Sequence, residues 1–253
     1  DARDPLRRRL YNVVEEIALA SGITVPEIYV LEQESGINAF AAGFTPADAA
    51  VAVTRGALEK LNRNELQGVI AHEFSHIFNG DMRLNIRLMG ALFGILMLSL
   101  IGRRVLHGSY YMGRSKNNNG GAIMLIAVVV MLVGYIGLFF GRWIKAAVSR
   151  QREYLADASA VQFTRDPDGI AGALKKIAVY SDASYLNVES EEVSHMLFGD
   201  GQKMSMFSTH PPMTQRIQRI DGSFNPDDLV QLAKRIERER QSEVEQAAKE
   251  HEK

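Results

Sequence analysis

The sequence predicts an α+β fold that is mainly helical, with a small sheet and an inserted hydrophobic helical hairpin. Three observations lead to this prediction. Short extended segments lie between helical segments in the N-terminal part of the chain, a helix with a buried-type apolar pattern follows them, and two long runs without a charged residue come next. Strands and helices that do not alternate strictly are typical of the α+β class.

Apolar spacing and boundary residues define the N-terminal segments. The first predicted helix ends at Ser21-Gly22, a typical helix end, and Thr54 is a suitable N-cap for the second. Asn62-Arg63-Asn64 is interpreted as the break before the third helix. The predicted helices are 6–20, 55–61 and 65–79, and the predicted strands are Glu27–Leu31, 38–44 and 49–53.

Two runs without a charged residue, 88–102 and 120–141, contain 15 and 22 residues. A helix needs about 20 residues to cross a bilayer, so the longer run predicts a transmembrane helix. The shorter run reaches this length only if Arg87 and Arg103 extend their side chains to the interface. Residues 107–119 are polar and are predicted to form a loop that joins the two helices. The alternative, that both runs are core helices of a soluble domain, stays open for the shorter run.

The basic residues around the hairpin favour one orientation by a narrow margin. The outer flanks carry Arg83, Arg87, Arg142, Lys145, Arg150 and Arg152, and the link between the runs carries Arg103, Arg104, Arg114 and Lys116. Basic flanks are retained on the cytoplasmic side. We therefore expect the parts of the chain on either side of the hairpin to be cytoplasmic.

The C-terminal part is predicted to be helical with one irregular segment. The second apolar helix is expected to continue to about residue 163 and to end at Asp166-Pro167-Asp168-Gly169. Further helices are predicted at 170–180 and Met213–Ile220, a polar loop at 181–202, and a charged solvated helix from Asp227 onward.

Composition limits the chemistry. The chain has no cysteine, which excludes disulfides, thiolate metal ligands and cysteine nucleophiles. Any metal ion must therefore be bound by His, Asp or Glu. The net charge of −1 gives no indication of nucleic-acid binding, and we expect none.

His72-Glu73-Phe74-Ser75-His76 is the strongest chemical signal. Histidines four residues apart lie on the same face of a helix and can bind one ion. Glu73 lies beside them, so this pattern supplies two metal ligands and a general base in five residues. Apolar neighbours such as Val69 and Ile70 predict a buried helix, on which two unpartnered histidines would be costly. The alternative is two ordinary histidines on a helix surface.

Catalytic zinc needs a third protein ligand and an open position. Without cysteine, Glu153-Tyr154-Leu155-Ala156-Asp157 is the best candidate, because two carboxylates four residues apart share one face of a helix. One carboxylate can bind the metal and the other can accept a hydrogen bond from a ligand histidine. The alternative is a solvated acidic face paired with Arg150 and Arg152.

Together these motifs resemble the HtpX-like membrane zinc metallopeptidases of metallopeptidase family 48, of gluzincin type, which also includes the CAAX prenyl protease and Oma-type proteases. The resemblance extends over residues 6–220 in the expected order. It is carried by His72–His76 with Asn79-Gly80-Asp81, by Glu153–Asp157, by Asn38-Ala39-Phe40-Ala41 and by Ser208-Thr209-His210-Pro211-Pro212 with Arg216-Ile217.

The resemblance implies a zincin-like metallopeptidase domain with one zinc ion per chain, bound by His72, His76 and Glu153. Glu73 would activate the metal-bound water, and Asp157 would hydrogen-bond a ligand histidine. His210 would stabilise the oxyanion or occupy the open metal position in a resting state, unless it only caps the helix after Pro211-Pro212. The residues that would pair with an extended substrate backbone are Asn38, Ala39 and Phe40.

The implied function is zinc-dependent hydrolysis of peptide bonds in membrane or misfolded proteins, as part of membrane protein quality control. The implied partners are a polypeptide substrate and the lipid bilayer of the inner membrane. The alternatives are a zinc-bound membrane scaffold that does not cleave, which would not need Glu73, and a soluble metallopeptidase. HtpX-like proteins usually have hydrophobic segments before their first helix, and the absence of such segments here leaves the number of spans open.

The domain organisation follows from these assignments. Residues 1–87 are predicted to form the first half of the catalytic domain and residues 88–141 the transmembrane hairpin. Residues 142–222 would complete the catalytic domain, and residues 223–253 would form a charged helical tail.

Overall fold

The structure is a computed structural model that describes residues 4–111, 120–180 and 209–251. Its strands are β1 (Glu27–Leu31), β2 (Ala39–Ala42) and β3 (Ala50–Thr54). Its helices are α1 (Pro5–Ser21), α2 (Arg55–Lys60), α3 (Arg63–Phe78), α4 (Asp81–Tyr111), α5 (Gly120–Thr164), α6 (Pro167–Tyr180), α7 (Met213–Ile220) and α8 (Asp227–His251), with a short 3-10 helix at Pro46–Asp48. The predicted mainly helical α+β fold with a small sheet is confirmed.

The small sheet has the strand order β1-β3-β2. β1 pairs with β3 in parallel, whereas β2 pairs with β3 antiparallel, with Phe40 opposite Ala52. The central strand β3 carries Val51 and Val53, and both are fully buried. In the described part of the chain, β2 is therefore an edge strand.

The helix α3 is fixed by its cap and by a close contact with α6. The Asn62 side chain accepts a hydrogen bond from Glu65 N at 2.9 Å, and the Glu65 carboxylate accepts one from Asn62 N at 2.7 Å. This capping box satisfies two of the free N–H groups at the helix start. A Cβ on Gly68 would lie 2.6 Å from Ile170 N, so only glycine permits this approach of α3 and α6.

Some element boundaries differ from the sequence prediction for clear local reasons. The segment Asn62-Arg63-Asn64, interpreted as a break, is the capped start of α3. The helix α6 begins at Pro167 because Asp166 Oδ1 accepts hydrogen bonds from the N–H groups of the first turn. The helix α4 extends to Tyr111, so His107 lies in a helix rather than in the predicted loop. Residues 112–119 and the predicted loop 181–202 lie outside the described residues.

The chain divides into two compact units. Of the described residues, the first contains 4–82, 151–180 and 210–251, and its core combines α1, α3, α6 and the sheet. The second consists mainly of 83–111 and 120–150. The predicted division of the chain into four parts stays a prediction.

The second unit is a pair of closely packed apolar helices. A Cβ on Gly134 would lie 2.7 Å from Ser99 N, and one on Gly102 would lie 2.8 Å from Met131 N. Small residues at such contacts let two helix backbones approach closely, as is common for helices packed within a bilayer.

The apolar faces of these helices are mostly exposed. Among the described residues, two helices are long and apolar enough to cross a membrane, Asp81–Gly108 and Met124–Thr164. The most apolar 18-residue windows of these helices have a mean hydropathy of 2.0 and 2.5. Only 6% and 11% of their most apolar windows are buried. The core helix of a soluble domain would be mostly buried, so this exposure favours lipid contact over the soluble alternative.

The short helix α7 is held in the first unit by a buried apolar residue and by polar contacts. Ile217 is fully buried, and the Arg219 guanidinium lies 3.5 Å from the centre of the Tyr154 ring on α5. Just after α7, Asp221 accepts a hydrogen bond from Lys175 of α6 at 2.9 Å. Hydrogen bonds from Ser223 and Lys175 lower the pKa of Asp221 to about 2.

Replacement of Asp221 by Asn is expected to lower the urea midpoint of unfolding at neutral pH but not in strong acid. The pKa of Asp221 in the folded protein lies below its ordinary value of 3.8. Its stabilising contribution is therefore complete above that value and is lost as the pH falls toward about 2. Unfolding of parent and D221N across this range checks the prediction, with the exposed Glu15→Gln as a control. A difference that persists unchanged at about pH 2 would contradict it.

Candidate metal centre

Two histidine rings lie nearly perpendicular to each other on one side of α3. His72 and His76 lie one helical turn apart, and their Nε2 atoms are 3.2 Å apart. Apolar neighbours such as Ile70 and Phe74 bury the opposite sides of the helix in the core. His72 is almost fully buried, whereas His76 is partly exposed.

Glu153 of α5 completes a group of three possible metal ligands. Its Oε2 lies 3.6 Å from His72 Nε2, and its Oε1 lies 3.6 Å from His76 Nε2. One ligand atom from each of the three residues lies within 4.8 Å of the others. The structure therefore brings together the three residues that the sequence motifs nominate as ligands.

The tautomers of both histidines follow from their outer contacts. His72 Nδ1 lies 2.9 Å from Asp157 Oδ1, and His76 Nδ1 lies 2.8 Å from Asp81 Oδ2. An ionised carboxylate only accepts hydrogen bonds, so each Nδ1 donates and each Nε2 is left with its lone pair. Two lone pairs that meet near a carboxylate favour a metal ion or a proton between them.

The electrostatics around His72 agree with this preference. Burial lowers the pKa of His72, but its contacts with Asp157 and Glu153 outweigh burial and raise the pKa to about 9. The surroundings thus favour a positive charge at Nε2, which either a proton or a metal ion can supply. Two histidines and a carboxylate are a typical ligand set for zinc, so the residues present fit this metal.

The most deeply buried charge in the site belongs to Arg216 of α7, a residue that sequence reasoning did not assign a role. Its Nε and Nη2 donate to the two oxygens of Asp157, at 2.8 and 2.6 Å. Its Nη1 lies 3.1 Å from Glu153 Oε2, and its side chain is fully buried. Two buried carboxylates on one helix face need a buried cation nearby, and that rule is the signal that points to Arg216.

This arginine changes the ionisation of both carboxylates. Burial raises the pKa of Asp157, but the charge and hydrogen bonds of Arg216 outweigh it and hold that pKa at about 2. Burial likewise raises the pKa of Glu153, but the charges of His210 and Arg216 bring it well below 4.5. Both carboxylates therefore stay ionised, as a metal ligand and its supporting acceptor must.

Glu73, the predicted general base, is buried on α3 beside the ligand histidines. Its Oε2 accepts a hydrogen bond from Ala41 N of the edge strand β2 at 2.8 Å. Burial raises the pKa of Glu73 above its ordinary value of 4.5. A carboxylate that is fixed in place and holds its proton more readily is suited to acid–base chemistry.

His210 also lies at this group of residues. Its Nδ1 is 3.2 Å from Glu153 Oε2, and the side chain is nearly buried. The residue stands three positions before α7, directly ahead of Pro211-Pro212. Its place next to a predicted metal ligand agrees with either of its predicted roles in the site, which stay predictions.

The predicted substrate-binding residues lie on or beside the edge strand. Ala39 and Phe40 belong to β2, and Asn38 precedes it. The Asn38 carbonyl accepts from Thr54 N at 3.0 Å, so Asn38 faces β3 rather than the free edge. Asn38 and Ala39 are buried and Phe40 is partly exposed, and a role in substrate binding stays a prediction.

Comparison with known proteins agrees with this geometry. The model of the family described as Peptidase family M48 matches residues 5–223. A protein named Protease HtpX homolog from Thermoanaerobacter pseudethanolicus is 42% identical over 219 residues, and the match covers 83% of this chain and 70% of that protein. One from Bacteroides fragilis is 36% identical over 225 residues, covering 85% and 68%. One from Listeria monocytogenes is 42% identical over 221 residues, covering 84% and 72%.

A solved structure shares the fold. The crystal structure of S. mikatae Ste24p matches with a TM-score of 0.54 and 19% sequence identity, over 84% of this chain. The chain spans 50% of the length of that protein. At this identity the likeness concerns the fold alone.

Replacement of Arg216 by Met is expected to destabilise the protein by about 3–5 kcal/mol, because it leaves two buried carboxylates without their cation. The double variant R216M/D157N is expected to recover part of that loss, since it removes one of the unpaired charges. Urea unfolding of both variants checks this prediction. A double variant less stable than R216M would show that the pair is not the source of the loss.

Proposed function

The chain belongs to peptidase family M48, and from that premise we propose that it is a zinc-dependent endopeptidase that hydrolyses membrane or misfolded proteins. It is a peptidase by family, and its HtpX homologues together with its two apolar helices make it a membrane protein. The proposal concerns the metal, the roles of the site residues and the class of substrate.

One observation carries the proposal: two histidine nitrogens and a carboxylate converge, and both histidines are oriented by carboxylates behind them. Zinc with three protein ligands retains an open position for a water molecule or a substrate. His72, His76 and Glu153 would hold one zinc ion per chain. Bound there, zinc would supply a water molecule of lowered pKa and would polarise the scissile carbonyl.

The protein's own residues would perform the proton transfers. Glu73 is held by Ala41 N and would accept the proton of the attacking water, then donate it to the leaving amine. Its raised pKa supports the second step, because a protonated carboxyl must persist long enough to act as an acid. His210 would stabilise the oxyanion or occupy the open position when no substrate is bound.

The substrate would bind as an extended strand. Ala39 and Phe40 belong to the edge strand β2 and Asn38 directly precedes it, and the free edge of such a strand can pair with a peptide backbone with little dependence on its sequence. Such binding suits cleavage of misfolded chains. The apolar helices support membrane proteins as substrates and a role in membrane protein quality control.

The proposed location is the inner membrane, with the site on the cytoplasmic side. The support for this orientation is the greater number of basic residues that flank the two apolar helices, compared with the link between them.

Replacement of Glu73 by Gln is expected to lower kcat for casein about 10²–10⁴-fold and to leave zinc binding intact, because it removes the base but no ligand. Metal analysis of the parent should give one zinc ion per chain, and a chelator should abolish cleavage. Casein cleavage by parent, E73Q and the exposed-residue control E59Q in detergent checks these expectations. Equal rates for parent and E73Q would refute the mechanism. A zinc-loaded parent that cleaves nothing across a broad peptide library would favour a scaffold.

The apolar helices are expected to keep the protein in the membrane. Their exposed apolar faces require either lipid or detergent. The protein should stay in the membrane fraction after a carbonate wash and should enter solution with detergent. A monodisperse monomer obtained without detergent would contradict the membrane assignment.

A further inference from the structure

The carboxylate that orients the second ligand histidine is itself held by an arginine, and none of the assignments above gives this arginine a role. His76 Nδ1 lies 2.8 Å from Asp81 Oδ2, and Asp81 Oδ1 lies 2.7 Å from Arg152 Nη1. Arg152 directly precedes the third ligand, Glu153, on α5. His76 therefore contacts a carboxylate that is paired with an arginine. His72 has the same arrangement, because it contacts Asp157, which is paired with Arg216.

A turn at Gly80 makes the first of these contacts. In an uninterrupted helix, a residue five positions after His76 would point about 140° away from it around the axis. However, α3 ends at Phe78, and Gly80 adopts a φ of 66°, a left-handed conformation that glycine reaches without strain. The new helix α4 then starts with Asp81, and its carboxylate turns back to His76.

The second contact joins two points that are far apart in the sequence. Asp81 and Arg152 stand at the two ends of the 70-residue stretch from Met82 to Gln151, which contains both apolar runs. Their ion pair connects the start of α4 with α5. The Asp81 carboxylate thus orients a ligand histidine and also joins the two segments of the chain that flank the apolar insertion.

The two supporting pairs differ in exposure. Arg216 and Asp157 are buried, whereas the side chains of Arg152 and Asp81 are 34% and 12% exposed. A partly exposed pair contributes less to stability and responds more readily to its surroundings. Of the two pairs, the Asp81–Arg152 pair is therefore the one whose strength depends more on its surroundings.

We infer that Asp81 and Arg152 are positioning residues for the metal centre: Arg152 holds Asp81, and Asp81 holds His76 in the orientation and tautomer that present Nε2 to the metal. This inference rests on the proposed zinc site, but not on the proposed cleavage of substrates. It predicts that the affinity for zinc depends on the ion pair that joins the two ends of the apolar insertion.

A double-mutant cycle on the full chain in detergent tests the inference, with the zinc Kd measured by competition with a chelator. D81A is expected to weaken zinc binding about 10–100-fold, as is usual when the outer partner of a ligand histidine is lost. R152M should weaken binding less, because its contact is partly exposed. If Arg152 acts through Asp81, R152M should have no further effect in the D81A background.

Conservative variants separate positioning from a general structural role. D81N retains an oxygen that accepts the His76 proton and should bind zinc more tightly than D81A. R152K retains the charge and should bind more tightly than R152M. The control is R63M, which removes a comparably exposed arginine from its ion pair with Glu16 and should leave the zinc Kd unchanged. If D81A fails to fold, D81N takes its place in the cycle.

The outcomes are distinct. An unchanged zinc Kd in R152M, or effects of D81A and R152M that simply add, would overturn the inference. A parent protein that binds zinc and follows the cycle but cleaves no substrate would refute the proposed peptidase mechanism and leave the inference standing. A parent protein that binds no zinc would refute both.

Discussion

The site depends on one constraint: the Nε2 atoms of His72 and His76 are held 3.2 Å apart with their lone pairs directed at the same place. Each ring donates its Nδ1 proton to a carboxylate, so neither can relieve the conflict by changing its tautomer. A metal ion or a proton between the two nitrogens makes this geometry favourable, and Glu153 approaches the same place from α5. The proposed catalytic roles of Glu73 and His210 depend on a metal ion at that point.

Charge balance sets how this constraint is maintained. Within the described residues the site combines the carboxylates of Glu73, Glu153 and Asp157 with the fully buried guanidinium of Arg216. Burial opposes the ionised forms, and the pairing of Arg216 with Asp157 offsets it. The ligand residues come from α3 and α5, and the helix α7 supplies the buried cation, so the site needs all three helices in place.

Much of the fold follows from local rules that a sequence displays directly. The strand Glu27–Leu31 and the helix Met213–Ile220 have the predicted bounds, and Thr54 caps α2 as expected. Two of the errors concern polar residues that can serve either of two structural roles. Asn62 can break a helix or cap one, and Asp166 can end α5 and still bond to the first turn of α6. Which use applies depends on the backbone groups within reach, which propensity does not specify.

The sequence by itself determined the candidate residues of the metal centre, His72, Glu73, His76 and Glu153, the absence of thiolate ligands, and the two apolar helices. These properties are read from residue type and from spacing within single helices, which are local. Tertiary structure alone decided which groups support the ligands and the proposed base. Arg216 binds Asp157, Ala41 N donates to Glu73, and Asp81 contacts both His76 and Arg152. These contacts join residues up to 71 positions apart in the last case, and no spacing rule in a single sequence specifies them.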